Sequence, residues 1–121
     1  DGHGVQGDGE VDVTAIETFM DGTIQLIVRR DLPFTVPFAE TPTDYISMGF
    51  GATLDAAFEM ALQQMIAFLE QFAELSAEEA YVLCSLAVDF RITQVVNTPQ
   101  KGVHGLFPKA IAPQNIRDRL G

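Results

Sequence analysis

T-L-D-A-A-F-E-M-A-L-Q-Q-M-I-A-F-L-E-Q-F, residues 53–72, is the stretch on which the fold class turns. Leu54, Phe58, Ala61, Leu62, Met65, Phe68, Leu69 and Phe72 recur at three- and four-residue spacing, which puts them on one face of a helix. Thr53 stands where an N-cap belongs, and Asp55 occupies the first turn, where the helix dipole favours an acid. A second helix begins just beyond it. S-A-E-E at 76–79 has the form of a capping box, and Ala80, Leu83, Cys84 and Ala87 follow on one stripe.

Both flanks of this helical pair carry strand texture. Upstream, V-D-V-T-A-I and T-I-Q-L-I-V lie on either side of Met20-Asp21-Gly22, which predicts a hairpin with strands near 11–19 and 23–30. Prolines at 33, 37 and 42 make residues 31–42 irregular or edge-like. Y-I-S-M-G-F at 45–50 is a short strand ending at Gly51. Downstream, R-I-T-Q-V-V at 91–96 and the stretch 102–107 return to strand, and the tail after Pro113 is polar. The expected order is β-hairpin, β, α, α, β, β. That is an α+β, β-rich unit with a central helical pair: strands and loops over 1–52, the pair over 53–88, strands and tail over 89–121.

Composition narrows the function classes. In 121 residues, 17 Asp+Glu stand against 7 Lys+Arg, a formal net charge of −10. Nucleic acids and anionic membranes need clustered positive charge, so neither is an expected partner. No run of 18 apolar residues is present to span a bilayer, and one cysteine makes no internal disulfide. A soluble, cytoplasmic protein is the expectation. The start at Asp1 has neither Met nor the basic and apolar regions of a signal peptide, so a processed chain or a piece of a longer one is expected.

The first ten residues, D-G-H-G-V-Q-G-D-G-E, hold the strongest candidates for chemistry. Asp1 and His3 are two apart, as are Asp8 and Glu10, so each pair shares a face of extended backbone. The glycines between them let the main chain approach a ligand closely. One imidazole with several carboxylates suits Zn²⁺ or another divalent ion; the plainer alternative is a solvated, mobile terminus. Glu17, inside an apolar strand pattern, suits a general acid or base, and equally the polar face of a half-exposed hairpin. Glu40 lies in the proline-rich loop, where it either binds or is simply surface. His104, among small residues on a short strand, either lines a site or is hydrogen-bonded structure. Asp89 and Arg91 cap and pair at a helix-to-strand junction, and Cys84 is an inert core thiol. No Walker loop, dinucleotide fingerprint or G-x-S-x-G elbow is present.

Four stretches taken in order resemble the C-terminal part of the acetamidase/formamidase family. They are V-Q-G-D-G-E-V (5–11) with T-A-I-E (14–17), A-E-T-P-T-D-Y-I (39–46), A-Y-V-L-C-S-L-A-V-D-F-R-I-T-Q-V-V (80–96) and K-G-V-H-G-L-F-P-K-A-I (101–111). Position 12 is Asp where the family often has Cys after G-E-V, and position 4 is Gly where it often has Ala. The resemblance implies metal-assisted hydrolysis of a small amide such as formamide or acetamide, or of a small γ-lactam. It implies zinc, held partly by His3 and Asp8 with Asp1, as the source of hydroxide. Glu17 or Glu10 would be the proton carrier, and Glu40 and His104 would stand toward substrate. It further implies a missing N-terminal β-domain, a partner polypeptide whose sheet this chain completes, and a homo-oligomer of the assembled unit. The competing class is a non-catalytic subunit or binding module of a larger assembly, with the glycine-rich terminus as linker.

Overall fold

The computed structural model describes residues 2–120; Asp1, one of the expected metal ligands, lies outside them. Nine elements follow in order: β1 (Gly2–Val5), β2 (Ile16–Thr18), β3 (Phe38–Glu40), β4 (Asp44–Gly51), α1 (Leu54–Ala73), α2 (Ala77–Ala87), β5 (Asp89–Gln94), β6 (Lys101–Pro108) and α3 (Gln114–Leu120). The class is α+β, as expected. Strands β3-β4-β6-β5 form one antiparallel sheet in that order, and β1 and β2 form a separate two-stranded ribbon.

Alternation along β4 and β6 decides which sheet face is covered. Tyr45, Ser47, Gly49, Val103, Gly105 and Phe107 are buried, and the residues between them are half-buried. α1 packs on the buried face across β4 and β6. Its C-terminal half supplies the main core, where Met65, Phe68, Leu69 and Phe72 meet Tyr45, Phe107 and Ile116. Phe68 stacks on Phe38 at 4.7 Å between centroids and lies tilted to Tyr45 and Phe72 at 5.2 Å.

The N-terminal half of α1 comes much closer to the sheet. A Cβ on Gly49 would sit 2.1 Å from the Ala57 carbonyl oxygen and 2.4 Å from the Ala61 nitrogen. The residues facing β4 there must be small, so Ala57 and Ala61 are fully buried. Phe58, expected in the core stripe, is displaced to the rim, 42% exposed and edge-on to Phe90 at 4.9 Å. Ser47 Oγ donates to the Ala61 carbonyl at 2.9 Å, which satisfies a fully buried hydroxyl at this close approach.

Both caps form as expected. Thr53 Oγ1 accepts the Ala56 N–H at 3.2 Å. Ser76 Oγ accepts from the Glu79 N–H at 3.3 Å, and Glu79 Oε2 accepts from the Ser76 N–H at 2.9 Å, a reciprocal box that holds the Glu79 carboxyl below its usual range. Ser76→Ala removes the acceptor for the Glu79 N–H and is expected to lower stability by about 1 kcal/mol in urea denaturation. An unchanged midpoint would show that the box is not contributing.

Two expectations are corrected. The hairpin over 11–19 and 23–30 does not form; β2 pairs with β1, and residues 19–30 hold no strand. T-I-Q-L-I-V alternates well enough, but no strand among the described residues lies beside it. Ile24, Leu26 and Val28 are exposed, and so are the interleaved positions. The polar tail also holds a helix: α3 forms because Ile116, fully buried, anchors it to the core with Leu120 packed against the same cluster, and its other five residues are polar.

Candidate functional site

The ribbon brings the first pair of candidates together. β1 and β2 run antiparallel with His3 opposite Glu17, and cross-strand partners share a face. His3 Nε2 lies 3.1 Å from Glu17 Oε1, and Nδ1 lies 2.5 Å from Gln6 Oε1. Both ring nitrogens thus point at acceptors and both act as donors, which favours the imidazolium. The His3 pKa is raised, by the Gln6 bond first and then by the charges of Glu17 and Glu10.

A tight loop carries the next carboxylates to the main sheet. Gly9, Glu10 and Val13 have φ of 97°, 42° and 71°. Glu10 donates its N–H to the Gly7 carbonyl, and Val13 donates to that of Glu10. Gly9 then fastens the loop alongside β5: its N–H donates to Thr93 O at 3.0 Å, and its carbonyl accepts from Val95 N at 2.9 Å. Glu10 is the one buried charged residue among the described residues, 8% exposed, and its Oε2 accepts from Gln94 Nε2 at 3.0 Å. A left-handed backbone at a buried carboxylate is a costly arrangement, held here by bonds on both sides.

His104 lies in the middle strand β6, between Met48 on β4 and Arg91 on β5. It occupies the sheet face turned away from α1, and its Nε2 is buried without a hydrogen-bond partner. Burial lowers its pKa; Asp8 is near enough to raise it in part, and Arg91 lowers it further. Glu40 is elsewhere, on β3 at the opposite edge of the sheet from β5, where it pairs with Lys109 Nζ at 2.5 Å. Lys109 in turn lies over the Tyr45 ring, 4.9 Å from its centroid.

Geometry therefore joins His3 to Glu17, holds Glu10 on Gln94, and sets His104 on β6 and Glu40 on β3 apart from them, with the charge of Asp8 felt at His104. Among the described residues, no three His, Cys, Asp or Glu side chains gather to hold a metal. His3, with both nitrogens donating, offers no free lone pair in this arrangement. The described residues alone do not complete a zinc site. Gln6 and Gln94, which orient His3 and Glu10, carried no signal in the sequence because their partners depend on ribbon geometry and on a contact 84 residues apart. Asp89 and Arg91 do pair, loosely, at 3.9 Å. Cys84 is buried, and burial pushes its thiol up to about 11, the inert state expected of it.

The two histidines titrate in opposite directions. A raised His3 contributes stability below the ordinary histidine range and loses it as pH rises through the raised value. A lowered His104 contributes stability above that range and loses it as pH falls through the lowered value. Imidazole NMR signals are expected to titrate with His3 above and His104 below the unfolded histidine value. The reverse order would contradict both placements.

No family model matches the chain, and no curated protein matches it. Six solved chains match. One is the crystal structure of an acetamidase from Bacillus halodurans, 36% identical with a TM-score of 0.58, over 62% of this chain and 25% of that one. The chain thus spans about a quarter of that protein's length, and over the matched part its fold is acetamidase-like. Among the described residues, no helix is long and apolar enough to cross a membrane.

Proposed function

We propose that this chain is the C-terminal part of an amidohydrolase acting on a small linear amide of the formamide or acetamide kind, or on a small γ-lactam. The observation that carries this is the likeness to an acetamidase at 36% identity, in a chain that sets His3 and Glu17 side by side. Glu17 is the proton carrier. Its side chain is half exposed, so water reaches it, and the His3 Nε2–H fixes its orientation. Glu17 takes a proton from water as the oxygen attacks the carbonyl carbon, then delivers it to the nitrogen as the C–N bond breaks. Backbone N–H groups stabilise the oxyanion. Glu10, buried and held by Gln94, sets the loop and the charge beside His3. His104 and Glu40 stand toward substrate in the assembled protein.

Zinc dependence is part of the same proposal: Asp8 and Asp1 would hold the ion with donors from the rest of the protein, and His3 would join them by giving up its Nδ1 proton and its bond to Gln6 while Nε2–H stays on Glu17. A bound ion would make hydroxide available at neutral pH. The remaining partner is an N-terminal polypeptide, folded together with this one, in a homo-oligomer located in the cytoplasm. Two features support it: the ribbon is mostly exposed on both strands, and a two-stranded ribbon is marginal by itself. Phe19, Ile24, Leu26 and Val28 are at least 82% exposed, the last three at the two-residue spacing of a strand.

The test is a substrate panel on the protein as its gene encodes it, with metal content measured on the same sample. Formamide and acetamide are expected to give ammonia and carboxylate one to one; a γ-lactam would open to an amino acid without ammonia. No turnover of any of the three by metal-replete, assembled protein would favour the non-catalytic subunit.

A further inference from the structure

Where the β3–β4 turn and the end of β6 meet α3, a cleft of about 330 Å³ is lined by Glu40, Pro42, Tyr45, Lys109, Arg117 and Leu120. The main chain of Lys109 fixes its walls. Its N–H donates to Thr43 O at 2.8 Å, and its carbonyl accepts from Arg117 Nη2 at 2.6 Å. A concave site of this size, part apolar and with a few converging polar groups, suits a small ligand.

The polar groups of the cleft are not used up within the chain. Tyr45 is 1% exposed, yet its phenol oxygen has no hydrogen-bond partner among the described residues. A buried hydroxyl without a partner is costly, and an acceptor brought into the cleft would satisfy it. The charges that act on this phenol are those of Glu40, Lys109 and Arg117, the groups that line the cleft, which places its oxygen toward them. Burial raises the phenol pKa, so at neutral pH it is a neutral donor. The arginines nearby are already matched: Arg29, bonded to Leu120 O, pairs with Asp31, and Arg119 pairs with Glu74. Arg117 pairs with no carboxylate among the described residues, and its one bond is that from Nη2 to Lys109 O.

Lys109 and Arg117 against Glu40 leave a surplus of one positive charge in the cleft, in a chain whose net charge is −10. We infer that the cleft binds a small monocarboxylate, its oxygens on the free N–H groups of Arg117 and the Tyr45 O–H, its short apolar tail on Pro42 and Leu120. A planar guanidinium matches a carboxylate with two parallel bonds. Glu40 holds Lys109 Nζ at the wall and limits the charge that can enter, because a second negative charge on the ligand would face the Glu40 carboxylate uncompensated. Glu40 thus stands toward this ligand, and the inference rests on the cleft rather than on turnover at Glu17.

The experiment is calorimetric titration, on the protein as its gene encodes it and at constant ionic strength, with propionate, 1-propanol and succinate. Wild type is expected to bind one propionate per chain, and 1-propanol, with the same tail and no charge, at least about tenfold more weakly. Arg117→Gln is expected to weaken propionate binding by about tenfold or more. Tyr45→Phe, which keeps the ring in the core, is expected to weaken it by about threefold or more, both variants at unchanged circular dichroism. Arg30→Gln removes the same charge at an exposed residue outside the cleft and is expected to change binding by less than about twofold. Glu40→Gln is expected to raise the affinity for succinate relative to propionate by about fivefold or more. Wild type that binds no propionate would overturn the proposal and assign the cleft to the rest of the protein. Propionate held as tightly by Arg117→Gln as by wild type would overturn it too, since a carboxylate bound beside His3 and Glu17 does not depend on Arg117. An unchanged preference in Glu40→Gln would overturn the selection for a single charge.

Discussion

Gly49→Ala is expected to destabilise the protein by about 3 kcal/mol or more and to lower its thermal midpoint by over about 10 °C. One methyl group is enough because it would lie 2.1 Å from the backbone oxygen of Ala57 and 2.4 Å from the nitrogen of Ala61. Both are main-chain atoms of α1 and have no rotamer with which to move aside. Relief would require the helix to lift from β4, which opens the Ser47–Ala61 bond and loosens Val103 and Phe90 behind it. Gly22→Ala is the matched control, since a Cβ there meets nothing within 4 Å. Its stability is expected within about 0.5 kcal/mol of wild type. Equal effects at the two positions would mean that α1 does not approach the sheet this closely.

Glu17→Gln is expected to reduce kcat for amide hydrolysis by about 10²–10⁴-fold, with KM and stability little changed. Glutamine keeps the shape and still accepts from His3 Nε2, but it takes no proton from water. His3→Asn is expected to lose less, because the carboxylate remains and only its orientation is relaxed. His3 is thus a positioning residue. Its variant should also shift the pH dependence of kcat/KM, since the raised imidazole that faces Glu17 is gone. Near-normal turnover in Glu17→Gln would transfer the proton-carrying role to Glu10 or to a group outside this chain.

How far the sequence could be read depended on whether a signal was local. The helix at 53–72 and its Thr53 cap were legible because three- and four-residue spacing and a cap are written within a few turns. The Ser76–Glu79 box was legible for the same reason. Ala57 was not, because being small is no hydrophobic signal; its importance comes from Gly49, a different element pressed against it. The strand over 23–30 was inferred from alternation, yet a strand is made by its neighbour, and none is present there among the described residues. α3 was missed because a single buried isoleucine among seven residues leaves no periodicity.

The site divides in the same manner. The glycine-rich terminus was legible as a place where backbone takes unusual angles, and Gly9 and Glu10 do so. The pairing of His3 with Glu17 was not, since it depends on the register of β1 against β2. The influence of Asp8 on His104 was not legible either, since the two are 96 residues apart in the chain and the charge of Asp8 reaches the imidazole only through the fold. The pairing of Glu40 with Lys109, 69 residues away at the sheet edge opposite β5, was not legible either, since it depends on how the strands are ordered.

Ammonia release from formamide and acetamide, measured for wild type beside Glu17→Gln at matched metal content, tests most directly whether this chain carries the proton transfer of a small-amide hydrolase. The expected result is turnover by wild type, with ammonia and carboxylate in equal amounts, and a loss of at least about a hundredfold in the variant. Wild-type protein that is fully assembled and releases no ammonia, or a variant as active as wild type, would contradict it.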